Sequence, residues 1–235
     1  MPVASRLVVV AALAVLASAG GASAAPAPGP PTGTRAWTAE IIHPLVARTA
    51  PKQGAPVAMR LAGHTTFTRG EQVLLVLGRA RDRRGATWVE VDLPKRPNGS
   101  AGWVPAEEVV LATTPVRLRV SLGSRTLTVM RAGRPAATYR AAVGKPATPT
   151  VTGLFSVADR VPSTGHLGPY ILVLTAYSEV LRNFLGGDGV AGIHGWGDPG
   201  AFGHAVSNGC VRLSRDAMRR VARVAPAGTP VEIVA

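Results

Sequence analysis

Short apolar runs separated by glycine- and proline-containing turns recur along most of this chain, and they restrict it to a structure built from short strands. The 235 residues include 27 glycines and 20 prolines, and only 5% are aromatic. Helix-breaking residues at this density favour strands and turns over long helices. A hydrophobic content of 46% is ample for a buried core. The sequence therefore predicts a mainly β protein of one or two domains.

The first 24 residues have the three-part plan of a secretory signal. Arg6 precedes an apolar run that extends to Ala17, and small residues follow as far as Ala24. We predict cleavage after Ala24 and a secreted protein. An uncleaved anchor is the alternative, although the apolar run is shorter than the roughly 20 residues that cross a bilayer. Residues 25–39, rich in proline and alanine, are predicted to be an extended linker.

Residues 40–112 are predicted to form a small β-barrel. Turn clusters separate five β-like runs, at 57–61, 73–77, 88–93, 102–104 and 109–111. Trp88, a turn and then Gly102-Trp103-Val104 resemble the order found in bacterial SH3-like domains, whose role is often to hold an enzyme on the cell wall. Trp88 and Trp103 either line a ligand groove or pack in the core.

Residues 115–235 are predicted to form a β-sandwich with short helices. Alternating apolar positions indicate strands with one buried face at 116–120, 127–129 and 137–143. The unbroken apolar run 170–174 predicts a strand buried on both faces. Short helices are predicted at 179–185 and after Ser214, and a last strand at 231–233.

Cys210 is the only cysteine in the chain, whereas exported proteins normally use cysteines in disulfide pairs. It either packs as a small apolar residue or reacts. A thiolate is a nucleophile, and a neighbouring imidazole that takes the thiol proton is the usual way to supply it. His194 is the candidate base. Gly209 can adopt backbone angles that aim nearby amides at one point, so we predict acyl transfer with an oxyanion hole at Gly209 and Cys210.

These residues carry a family resemblance. His194-Gly195 followed by Ser-x-Gly-Cys-Val-Arg at 207–212 resembles the catalytic signature of the L,D-transpeptidases, the YkuD-like domain. Thr-Pro-Thr at 148–150 with Gly153 is similar to the Thr-Pro-Thr-Gly segment of that family. The resemblance covers roughly residues 115–235. It departs from the common pattern at Asn208, where many members have histidine, and at Val151, where close members often have proline.

The resemblance implies that Cys210 attacks a peptidoglycan tetrapeptide stem, at the carbonyl between the third residue and the terminal D-alanine. His194 would act as base and then acid, and the main-chain carbonyl of Gly195 would orient its ring. Resolution of the thioester by an amine of a second stem gives a 3→3 cross-link, whereas water gives an L,D-carboxypeptidase. A non-catalytic wall-binding protein is the alternative from another class.

The remaining motif residues are predicted to bind substrate. These are Ser207, Asn208, Gly209 and Arg212. Arg212 either holds the loop of Cys210 or meets a substrate carboxylate. Histidine precedes cysteine in this chain, which disfavours a papain-like peptidase, where the order is reversed.

The net charge of +13 favours polyanionic partners. For a secreted wall enzyme these are anionic cell-wall polymers rather than nucleic acid. We predict no metal site, because His194, Asp198, His204 and Cys210 lack the short, regular spacing of metal ligands. No cofactor is implied. Carbapenem-type inhibitors are expected to acylate Cys210. The sequence does not indicate an oligomeric state.

Overall fold

The computed structural model describes residues 27–183 and 187–235. The predicted signal at 1–24 and the first two residues of the predicted linker lie outside them. Within the described ranges the chain is mainly β, as predicted. The strands are β1 Ala36–Ile41, β2 Leu45–Arg48, β3 Val57–Leu61, β4 Gln72–Arg81, β5 Thr87–Asp92, β6 Ala101–Pro105, β7 Val110–Thr114, β8 Val116–Ser121, β9 Thr126–Arg131, β10 Arg134–Arg140, β11 Val143–Gly144, β12 Gly153–Pro162, β13 Tyr170–Tyr177, β14 Val190–Trp196, β15 Ala205–Ser207, β16 Val211–Ser214 and β17 Pro230–Val234. The α-helix α1 spans Arg215–Val224.

The first seven strands form one antiparallel sheet in the order β3-β2-β6-β5-β4-β1-β7. β1 begins at Ala36, inside the segment predicted as linker, because Ala36 and Ala39 are buried in pairing with β4 and β7. Trp88 is 1% exposed and its indole N–H donates to Asp82, so this tryptophan packs in the core. The SH3-like character of this unit stays a prediction.

The second sheet contains eight strands in the order β10-β9-β8-β17-β12-β13-β14-β16. Two of its pairings are parallel, β8 with β17 and β14 with β16. α1 packs on β13, β14 and β16 through its apolar face, with Met218 and Val221 fully buried. The Ser214 hydroxyl accepts from the Ala217 amide at 3.3 Å and caps the helix. The predicted helix after Ser214 and the predicted last strand are confirmed.

The other predicted helix, at 179–185, is not formed over 179–183, and its last two residues lie outside the described part of the chain. The Ser178 hydroxyl accepts from the amides of Val180 and Leu181 at 3.3 and 3.0 Å. It therefore caps an isolated turn. No helix in the described ranges has both the length and the apolar character needed to cross a bilayer.

Polar contacts join the two sheets. The Asp92 carboxylate, at the end of β5, accepts from the hydroxyls of Ser156 at 2.9 Å and Thr175 at 2.6 Å. All three side chains are buried. In the opposite sense, Asp159 on β12 accepts from the Thr68 amide and hydroxyl, at 3.0 and 2.7 Å. Each sheet thus supplies one carboxylate whose hydrogen-bond donors belong to the other half of the molecule.

The turn between β5 and β6 also holds the segment that follows β13. The Arg96 guanidinium donates to the carbonyls of Ser178, Leu181 and Asp188, at 2.8, 3.3 and 2.8 Å. Asn98 exchanges two hydrogen bonds of 2.8 Å with the backbone of Tyr177. One side chain of this turn therefore satisfies three carbonyls of the segment.

The Asp92 contact has a measurable pH dependence. Burial raises the pKa of the Asp92 carboxyl from 3.8 to about 6, against the lowering effect of the Thr175 and Ser156 hydroxyls. The folded state therefore retains a proton that the unfolded chain loses above pH 4. The stability from this carboxyl is fully present below the unfolded pKa and is lost as pH rises through about 6, an effect on the order of 3 kcal/mol.

We expect urea unfolding at pH 4.5 and pH 7.5 to show this difference against Asp92→Asn, which keeps an acceptor oxygen but does not titrate. The wild type should lose stability relative to the variant as pH rises. A stability difference that is the same at both pH values would contradict the assignment.

Candidate active site

The parallel pairing of β14 and β16 brings the predicted catalytic residues together. His194 lies directly opposite Arg212 in this ladder. Side chains two positions apart in a strand share a face, so Trp196 and Cys210, which immediately precedes β16, are on the same side. The opposite face enters the core with Ile193, Val211 and Leu213, each at most 1% exposed.

A cavity of about 300 Å³ opens on this face. It is lined by His166, Leu167, Ile171, Val173, Val190, Ala191, Gly192, His194, Trp196, Asn208, Cys210 and Arg212. A narrower recess reaches the cysteine from another side, between Pro149, Val151, Leu181 and Val190. Cys210 is a partly buried residue and borders both the cavity and the recess.

The backbone fixes the orientation of the His194 ring. Its Nδ1 lies 2.8 Å from the carbonyl oxygen of Gly195. A carbonyl can only accept, so Nδ1 carries the hydrogen and Nε2 keeps a free lone pair. Asp198 does not take part, because its carboxylate accepts from the Gly200 amide at 2.9 Å. The imidazole is thus arranged to receive a proton at Nε2 without a carboxylate partner.

Both groups of the pair are neutral near pH 7. Burial lowers the pKa of His194, helped by the charges of Arg212 and His166, although its hydrogen bond with Gly195 acts in the other direction. Burial also raises the pKa of the Cys210 thiol, and a backbone hydrogen bond from Gly192 and the Arg212 charge oppose this only in part. A thiol proton passed to this imidazole would therefore have to move during nucleophilic attack rather than before it.

The loop before the cysteine is held from inside by Ser207. Its hydroxyl donates to the Cys210 carbonyl at 2.6 Å and accepts from the Gly209 amide at 3.1 Å. Its own carbonyl accepts from the Lys145 amide at 3.0 Å and the Thr148 hydroxyl at 3.2 Å. Ser207 has no exposed surface. This side chain therefore stabilises the loop. It does not reach the surface of the cavity, although it was predicted to bind substrate.

The predicted oxyanion hole is only partly available. Gly209 has a φ of 110°, open to glycine alone, but its amide already donates to Ser207. The Cys210 amide, by contrast, donates no hydrogen bond within residues 27–183 and 187–235. The Cys210 amide is the donor left for an oxyanion. Asn208, at the tip of the loop, borders both the cavity and the recess.

Arg212 presents a positive charge to the cavity. Its guanidinium carbon lies 3.9 Å from the centre of the Trp196 ring, a cation–π geometry. Its buried Nε has no hydrogen-bond partner in the described part of the chain. Trp196 also meets the edges of His166 and His194, at 5.8 and 6.0 Å between ring centres. The guanidinium is thus held in place while donors remain free for a ligand.

Trp196, His166 and Gly192 belong to this site and were not predicted from the sequence. Trp196 could have been found, because it lies two positions after His194 on the same strand face. His166 comes from a distant loop, and no local pattern points to it.

Across the residues described, no group of three or more histidine, cysteine or acidic side chains is arranged to hold a metal ion. His204 is exposed and lies outside the cavity lining.

Comparison with known proteins supports one family. Residues 115–233 match the family described as the L,D-transpeptidase catalytic domain, YkuD. A protein provisionally named L,D-transpeptidase YkuD, from Bacillus subtilis strain 168, is 33% identical over 60% of this chain and 83% of that protein. Its counterpart in Bacillus licheniformis is 34% identical with the same coverage.

Solved structures give a weaker likeness. The catalytic domain of an E. faecium L,D-transpeptidase acylated by ertapenem is 22% identical, over 50% of this chain and 95% of that one, with a TM-score of 0.40. The resemblance predicted from the motifs is therefore confirmed for the catalytic domain by the family match and the Bacillus relatives.

Gly195 is expected to tolerate no side chain. A Cβ at this position would overlap the carbonyl oxygen of Gly168 and contact Pro169, whereas a Cβ at Gly197 would meet no atom within 4 Å. We expect Gly195→Ala to lower the free energy of unfolding by about 3 kcal/mol, because the backbone must move. The matched control Gly197→Ala should change it by less than about 0.5 kcal/mol. Equal unfolding midpoints for the two variants in urea would contradict this packing.

The neutral thiol is expected to be visible in alkylation rates. The pH profile of the reaction with iodoacetamide should have its midpoint above the value of about 8.5 typical of free cysteine. Arg212→Gln should move it higher still, because the Arg212 charge lowers the pKa of Cys210. A midpoint below pH 7 would instead indicate a preformed thiolate–imidazolium pair.

Proposed function

This chain belongs to the L,D-transpeptidase family, with its YkuD catalytic domain at residues 115–233, and from that membership we propose that it is an exported enzyme acting on peptidoglycan stem peptides. The observation that carries the proposal is the shared face of His194, Cys210 and Arg212 in one open cavity. The fixed tautomer of His194 adds a base with its lone pair free. A protein that only binds the wall has no use for that arrangement.

In the first half-reaction, the Cys210 sulfur attacks the carbonyl between the third stem residue and the terminal D-alanine. Its proton passes to Nε2 of His194, and the oxyanion accepts from the Cys210 amide. The imidazolium then protonates the leaving amine, so D-alanine departs and a thioester remains. We assign Arg212 to a carboxylate of the donor stem, because this residue lines the cavity and brings a positive charge to it.

In the second half-reaction, an amine of a second stem attacks the thioester and gives its proton to His194, the Cys210 sulfur leaves, and the imidazolium returns the proton to that sulfur. This forms a 3→3 cross-link. The amine enters through the larger cavity, because the recess bordered by Pro149 and Val151 has room for only about one water molecule. Attack by water on the thioester would instead give the L,D-carboxypeptidase outcome.

Export, wall binding and inhibition complete the proposal. The secretory signal at 1–24 would deliver the enzyme outside the membrane, and the SH3-like unit at 40–112 with the net charge of +13 would hold it near anionic wall polymers. A carbapenem presents a strained amide carbonyl, so it should acylate Cys210 in the same way as a stem. No cofactor enters any of these steps.

Replacing the nucleophile tests the assignment. We expect Cys210→Ala to lower D-alanine release from tetrapeptide stems by about a thousandfold or more, because the thioester cannot form. His194→Ala should cause a loss of similar size. Muropeptide analysis by mass spectrometry would identify the product, and intact mass after incubation with a carbapenem would show one adduct on the wild type and none on Cys210→Ala. Near-normal product from Cys210→Ala would refute the proposal.

A further inference from the structure

A cavity of about 480 Å³ lies between the β12–β13 hairpin and α1. The hairpin contributes Arg160 and Thr164 to its lining, and the helix contributes Arg219 and Arg223. None of the residues that line it also lines the cavity of Cys210. This arginine cavity is therefore a separate space on the same half of the molecule.

Hydrogen bonds between the hairpin and the helix hold the arginine cavity open. The Arg160 guanidinium donates to the carbonyl of Ala222 at 2.9 Å, one of the carbonyls that the end of a helix leaves without a partner. The Arg215 guanidinium donates to the carbonyl of Gly165 at 2.7 Å. The two walls are thus joined on both sides, and the cavity exists before a ligand arrives.

The charges of the arginine cavity are all positive. Its lining contains three arginines, and no aspartate or glutamate is among the described residues that form it. Asp216, in the first turn of α1, pairs with Arg219 at 2.8 Å but lies outside the lining. Arg223 forms no ion pair with any carboxylate of the described residues. The cavity therefore favours an anionic ligand.

Helix stability accounts for these arginines only in part. The negative end of the helix dipole favours a positive charge in the last turn, where Arg223 lies. Arg219 is four positions before Arg223, and like charges at this spacing on a helix repel each other. Arg160 adds a third charge from β12. A bound anion would remove the repulsion among the three.

Phosphate suits this set of donors better than carboxylate does. Guanidinium groups bind phosphate oxygens through paired, charge-assisted hydrogen bonds. A phosphate group carries acceptor oxygens in more than one plane, so it can meet Arg160 on the strand and Arg219 on the helix together. A carboxylate has its two oxygens in a single plane. Thr164 adds a hydroxyl at the hairpin side.

The surroundings of the arginine cavity favour a flexible chain over a membrane surface. Membrane-surface binding normally combines basic residues with apolar side chains that enter the bilayer. None of the large apolar side chains exposed in the described part of the protein lines this cavity. A recess between a hairpin and a helix admits one chain, whereas the flat surface of a bilayer cannot enter it.

We propose that the arginine cavity binds a phosphate group of a phosphodiester-linked anionic polymer. Thr164 lines this cavity, whereas His166 and Leu167 of the same loop line the cavity of Cys210. The polymer is therefore held across one loop from the catalytic cavity without occupying it. That the polymer belongs to the cell wall rests on the proposed function, whereas phosphate binding itself does not depend on catalysis.

The test titrates the full chain with a fluorescently labelled oligomer of poly(glycerol phosphate) and follows fluorescence polarisation. The salt concentration is about 0.1 M, where attraction between distant exposed charges is largely screened. Arg219→Gln and Arg223→Gln should each raise Kd by about fivefold, the upper end for an exposed ion pair. The double variant should raise it by about 25-fold if the two effects add. Arg219→Lys should recover only part, because lysine lacks the planar fork.

Arg220→Gln is the matched control. Arg220 is adjacent to Arg219 in α1 and is also exposed, but it does not line the cavity. Both substitutions lower the net charge by the same amount, so diffuse attraction predicts equal losses of affinity. The proposed site predicts little change in Kd for Arg220→Gln. Equal losses in Arg219→Gln and Arg220→Gln, or no binding to the wild type, overturn the proposal.

Two further probes test the class of ligand. Polyglutamate of the same charge should bind more weakly than poly(glycerol phosphate), and equal or tighter binding overturns the phosphate assignment. Tighter, Arg219-dependent binding to phosphatidylglycerol vesicles overturns the assignment to a polymer. D-Alanine release from a free tetrapeptide stem should be unchanged in Arg219→Gln. Failure of the proposed catalysis would remove that release from the wild type and leave the polymer titrations as they are.

Discussion

Parallel pairing of β14 with β16 is the constraint on which the site depends. One register places His194 opposite Arg212 and brings Cys210 to the same face, and a shift of a single residue would direct the sulfur into the core. The register is secured by the buried residues Ile193 and Val211 of the opposite face. The packing of the buried face therefore determines which side chains the strands present on the cavity face.

The first sheet contributes to this site by holding in place a segment that borders it. Arg96 fixes three carbonyls of the segment that follows β13, and Leu181 in that segment borders the recess beside the cysteine. Asp92 and Asp159 join the sheets from opposite sides. The first sheet therefore holds backbone that borders the site, although the residues that line the site all come from the second half of the chain.

Sequence reasoning succeeded where the signal was local and failed where distant contacts decide. Alternating apolar residues and the Ser214 cap predicted the strands and α1. The motif identified Cys210 and His194 as candidates, and the structure places them in one cavity. The predicted helix at 179–185 was wrong over 179–183, because the Leu181 carbonyl there accepts from Arg96, 85 residues away. No pattern could show that the Gly209 amide is already used, or that Phe67 meets Asp159.

The position of Val190 has a consequence for how specificity can change. This residue borders the recess, the cavity of Cys210 and a further cavity between the two sheets. A larger or smaller side chain there would alter all three volumes together. The shapes of these three spaces are therefore expected to vary as a coupled set among related chains.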